Sequence, residues 1–97
     1  MPAYAQDVFR SDSFLEWPEE SRSFYIRTSI GMAGFIASEN STEHADCLEH
    51  WYFDDEQASE VYIYGIMEQY PEVHPRAIIV AILQNKCGPF QYTEQAN

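Results

Sequence analysis

From Thr28 through Pro75 the chain carries no lysine or arginine, and ten of its sixteen carboxylates fall within those 48 residues. They are Glu39, Glu43, Asp46, Glu49, Asp54, Asp55, Glu56, Glu60, Glu68 and Glu72. The formal net charge is −11, so the domain is acidic with its charge concentrated in the middle. Nucleic-acid affinity comes largely from neutralising phosphates, and a segment of this sign repels a polyanion at the distances where an encounter begins. Direct binding of DNA or RNA is therefore not expected.

Ninety-seven residues, 45% apolar and 15% aromatic, suffice for one compact core. Small chains bury a smaller share of their surface than large ones, and large aromatic side chains offset part of that deficit. The two cysteines, Cys47 and Cys87, are fewer than a disulfide-stapled secreted domain carries at this length, which points to a reduced, cytoplasmic setting. The opening MPAYAQDVFRSD has neither a basic lead nor an apolar run, and no later segment has the length to cross a bilayer. Neither a secretion signal nor a membrane partner is expected.

The helical pattern is clearest at the end of the chain. Pro75 suits a first helical position, Ile78, Ile79, Ile82 and Leu83 form an apolar stripe, Lys86 complements the C-terminal dipole, and Gly88 with Pro89 stops the helix. Asp54 with Gln57 resembles a capping box ahead of Ala58, Val61, Tyr62, Ile66 and Met67 at helical spacing, closed by Pro71. Asn40 with Glu43 marks the start of a helix over 41–53, with Ala45, Leu48, Trp51 and Tyr52 to one side. Between Pro18 and Ala37 the signals conflict. Ile26, Ile30, Ala33 and Ala37 repeat helically, yet Phe24, Ile26, Thr28 and Ile30 alternate as a strand would, and Gly31 and Gly34 weaken a helix. Helix is favoured, with the two glycines offering a place for another backbone to approach. A short helix from Ala3 to about Leu15 comes first, and residues 91–97 form a polar C-terminal tail after a single helical domain over 1–90. Short connections then predict an all-α fold, a compact bundle of four to five short helices; strands over 24–36 would convert it to α+β.

One cluster carries chemical potential: His44, Cys47 and His50 at three-residue spacing. Three ligands spread over nearly two turns diverge around the helix axis, and structural zinc draws ligand pairs from separate elements. A fourth ligand would have to come from Cys87 or His74. The simpler expectation is that Cys47 is a small buried residue and the histidines flank the acidic surface. Asp54, Asp55 and Glu56 lack the spaced ligands and turn glycine of a calcium loop, so helix capping is their ordinary role. His74, directly before Pro75, helps to start the last helix. No Gly-rich phosphate loop, nucleophile elbow or separated carboxylate pair in an apolar setting is present. No catalytic residue, metal or cofactor is assigned.

The strongest functional signal is the interleaving of carboxylates with aromatics in CLEHWYFDDEQASE, Cys47 to Glu60, and in VYIY, Val61 to Tyr64. Tyr and Trp supply rigid amphipathic anchors at interfaces, and carboxylates steer a basic partner. Trp51, Tyr52 and Phe53 point three ways on a helix, and Tyr62 and Tyr64 diverge, so one apolar stripe cannot bury them all. The expected partner-binding set is Glu43, Asp46, Glu49, Trp51, Tyr52, Asp54, Asp55, Glu56, Glu60, Tyr62 and Tyr64. The chain reads as a small non-enzymatic acidic regulator that binds and inhibits a protein with a basic or apolar groove by occlusion, with a homodimer expected. Phage anti-defence inhibitors and bacterial anti-activators share this size and charge, some imitating nucleic acid; the likeness is one of size and charge alone. The alternatives are an accessory or structural subunit of a larger assembly, and a small zinc or thiol protein.

Overall fold

The computed structural model describes residues 9–90, and among them it holds five helices and no strand. In chain order these are α1 (Ser11–Phe14), α2 (Glu19–Ser38), α3 (Thr42–Phe53), α4 (Glu56–Gln69) and α5 (Pro75–Cys87). The fold is all-α, and residues 24–36 lie inside one continuous helix. The first eight residues and the 91–97 tail lie outside the described residues. No described helix is long and apolar enough to cross a membrane.

Local chemistry sets each boundary. Ser41, one residue beyond the expected Asn40, caps α3 by accepting from the His44 N–H at 3.1 Å. At α4 the cap is Asp55, which accepts from the Ala58 N–H at 3.1 Å, while Asp54 ends α3 instead of starting α4. His74 Nδ1 accepts from the Arg76 N–H at 3.0 Å, with Pro75 opening α5 behind it. Gly88 stops α5 at a φ of 92°, a backbone conformation that side-chain-bearing residues rarely adopt.

The expected helix from Ala3 to about Leu15 shrinks, among the described residues, to the single turn of α1. Arg10 is extended, the Ser11 and Asp12 N–H groups donate to Val73 O and Pro71 O at 2.9 and 3.0 Å, and the Ser11 hydroxyl also donates to Val73 O. Those donors are spent on the α4–α5 connection, where a longer helix would have used them internally.

Phe14, Ile26, Ile30, Leu48, Tyr52, Ile63, Met67 and Leu83 form the fully enclosed centre of the core. The three-residue connection after α2 makes α2 and α3 a helical hairpin with the most extensive contact in the structure. The Glu49 side chain lies over the bare backbone of Gly34, where a Cβ would sit 3.2 Å from its Cγ, whereas one at Gly31 would meet open space. Helix α5 packs against α2, α3 and α4. The backbone spans 39 × 37 × 20 Å, so the molecule is a thin slab.

Cys47, half-buried on α3, is joined by a disulfide to Cys87 at the end of α5, their Cα atoms 5.8 Å apart. The reduced thiol expected for Cys47 is thereby corrected. Two cysteines counted along a sequence carry no signal of adjacency; here the packing of α5 on α3 supplies it. The bond closes a loop of 40 residues, for which chain entropy alone gives about 4 kcal/mol. Replacing both cysteines by serine, or adding reductant, is expected to lower the unfolding free energy by about 2–4 kcal/mol in urea titrations, with helical circular dichroism kept.

Candidate protein-binding surface

The apolar spacing Ala45, Leu48, Tyr52 turns one side of α3 into the core, which leaves Glu43, Asp46 and Glu49 along its solvent side. Asp54 and Asp55 continue that exposed run at the turn into α4. Among the described residues no cation pairs with Glu43, Asp46 or Glu49. Glu56 meets Arg27 at 3.4 Å and Asp54 meets His50 at 3.3 Å, both at exposed positions where an ion pair contributes little. The stripe therefore keeps its negative potential.

Two of the expected surface residues point inward. Tyr52 is fully enclosed and its hydroxyl donates to Glu60 Oε2 at 2.5 Å; Glu60 is itself buried, and its Oε1 accepts from the Ser23 hydroxyl at 2.8 Å. Neither is free to touch a partner. Burial, then the hydrogen bond to Glu60 and the charge on it, pushes the Tyr52 phenol well above its ordinary pKa. Tyr64 is half-buried, with the Arg22 guanidinium 4.7 Å from its ring centre. Its phenol is also raised, by burial and by the Glu60 charge.

The remaining aromatics do come together. Trp51, half-buried, meets Tyr62 edge-to-face at 6.1 Å, and Lys86 reaches from α5 to lie 4.7 Å above the exposed Tyr62 ring. Phe53 is exposed beside Tyr52. The acidic stripe thus adjoins a small aromatic step of Trp51 and Tyr62.

The metal and thiol cluster does not converge. Cys47 is taken by Cys87, His50 turns to Asp54, and the His44 ring packs on Phe90 at 5.0 Å. Cys87, the candidate fourth ligand, is the disulfide partner, and His74 Nδ1 is occupied in capping α5.

Sequence reasoning missed an exposed apolar row on α2. Phe24, Met32, Phe35 and Ile36 stand on the side of α2 opposite Ile26 and Ile30. Phe24 left a trace in the strand-like alternation across 24–30, which arises because this helix is apolar on both sides; Met32, Phe35 and Ile36 lie beyond it. Compared with known proteins, the chain matches no family model, no curated protein and no solved structure.

Because the Tyr52 phenol is raised on folding, the unfolded chain loses that proton first. The stabilisation is complete below about pH 10 and is lost as pH rises beyond it. Tyr52→Phe is expected to cost about 1–3 kcal/mol at pH 7, since it strips a donor from a buried carboxylate, and to flatten the alkaline loss of stability seen in denaturant titrations.

Proposed function

We propose that this protein is a non-enzymatic acidic regulator that docks a protein bearing a basic groove and occludes it. The observation that carries this reading is the unpaired row Glu43, Asp46 and Glu49, continued by Asp54 and Asp55, in a stretch of chain with no lysine or arginine between residues 28 and 75; Lys86 reaches this region only at the Tyr62 ring. Uncompensated carboxylates in a row present a basic groove with the kind of charge that a phosphate backbone presents, and they raise the encounter rate with it. The half-buried Trp51 and the exposed Tyr62 add a rigid apolar contact at the edge of the row. The sulfur chemistry that would favour an enzyme or zinc protein is tied up in the disulfide.

A second reading, an accessory subunit that completes a larger assembly, draws its support from the exposed apolar side of α2. The two readings use opposite chemistry, charge in one and apolar burial in the other.

The test is capture of the partner on the immobilised protein, followed by affinity measurements across ionic strength. Affinity should fall as salt rises, and the triple variant Glu43→Lys, Asp46→Lys, Asp54→Lys should bind at least about tenfold more weakly while its thermal melt stays near that of the parent. These positions avoid Asp55, whose carboxylate caps α4. A complex indifferent to both salt and charge reversal would overturn the proposal.

A further inference from the structure

Two segments of this acidic chain contain no carboxylate at all, residues 21–38 and residues 73–90. They supply almost all of α2 and the whole of α5, which pack side by side. Between them runs a groove of about 460 Å³ whose walls include Tyr25, Met32, Ile36, Arg76 and Val80, with no acidic residue along it. Val80 and Arg76 are shared with a shallow depression on the outer side of α5, and Ala77 and Ala81 carry the surface on toward Tyr62 and Tyr70 of the α4 edge. This side of the slab is apolar and without acid through its middle, and Glu19 and Glu20 border it at the Phe24 end.

Along α2, Phe24, Thr28, Met32 and Ile36 form a row at four-residue spacing, with Phe35 beside it. Phe24 is 63% exposed, Met32 59%, Phe35 65% and Ile36 53%. The opposite side of the same helix carries Ile26 and Ile30 into the core. A helix apolar on both sides belongs inside a larger body, and a slab 20 Å thick covers only one of them.

We infer that this face is the contact surface of a homodimer, built on α2 packed antiparallel against α2 of a second copy. Charge selects that occupant. A chain at −11 repels its own kind from most directions, and this is the face across which two copies meet with carboxylates only at the margin of the contact. A basic partner finds no carboxylate along the groove to pair with, and an anionic surface finds only Arg76 there. The row is also self-complementary, as a two-fold contact requires. With the axis between Thr28 and Met32, Phe24 lies opposite Ile36 of the second copy, and the small Thr28 opposite the long Met32. Glu20 and Glu39 fall just beyond the two ends of the row, where Glu20 of one copy comes near Glu39 of the other, a repulsion that salt screens. The four exposed side chains offer on the order of 400 Å² per copy, and the groove walls bring this toward the ~800 Å² per partner of a standard stable interface.

The inference is independent of the acidic-face proposal, and salt separates the two. Screening weakens docking of the acidic stripe on a basic groove but relieves repulsion between two acidic copies. Sedimentation velocity of the full chain, over a range of concentration at low and at high ionic strength, should show a monomer–dimer equilibrium that tightens with salt. Met32→Glu places a carboxylate in the seam and should weaken self-association by about tenfold or more. Phe24→Ser, an uncharged change at an outward position, should weaken it as well and serves if the glutamate variant does not fold. A monomer under all conditions, a dimer untouched by Phe24→Ser, or an assembly that dissolves in salt or grows past two copies would each overturn the inference.

Discussion

Glu60 enters the interior from α4 and accepts there from Tyr52 on α3 and Ser23 on α2, so a single carboxylate holds three helices in register. A carboxylate removed from water without a cation is tolerated only when its oxygens find donors of good geometry. Here both donors are hydroxyls, each from a different helix. A rotation of α3 that withdrew Tyr52 would strand the charge, so the bridge fixes which side of α3 faces out. The exposure of Glu43, Asp46 and Glu49 follows from it.

The second organising constraint is the partition of charge. Carboxylates are spread through α3, its turn into α4 and the ends of α2, whereas the middle of α2 and all of α5 have none. Packing brings α5 together with the acid-free middle of α2 and gathers their outer residues on one side of a thin slab. The result is a molecule with two unlike surfaces. One carries charge and a small aromatic step, the surface proposed to dock a basic protein. The other carries large apolar side chains, suited to burial against a matching surface.

The disulfide joins these two halves of the design. Cys47 sits on the helix that bears the acidic stripe, and Cys87 ends the helix that walls the apolar groove. The chain that carries the acidic turn and α4 is closed into a loop between them. The open form of that loop is thereby removed from the unfolded ensemble, a stabilising device suited to a chain too short for a large core.

By itself the sequence determined the helical class, four of the five helices to within a residue or two, and the position of the negative charge. These are local properties: side-chain period, caps such as Pro75 and Gly88, and the placement of Asp and Glu along the chain. It also showed Ala45, Leu48 and Tyr52 on one side of α3, yet the same tyrosine, read with its acidic neighbours, was assigned to the surface. Only the tertiary structure decided that Tyr52 and Glu60 satisfy one another inside, that Cys47 meets Cys87, and that α2 has a second apolar side left uncovered. Each of these depends on which residues distant in the chain arrive at the same place. Burial, disulfide pairing and an apolar face without acid through its middle are properties of helices brought together, and no period within a single segment encodes them.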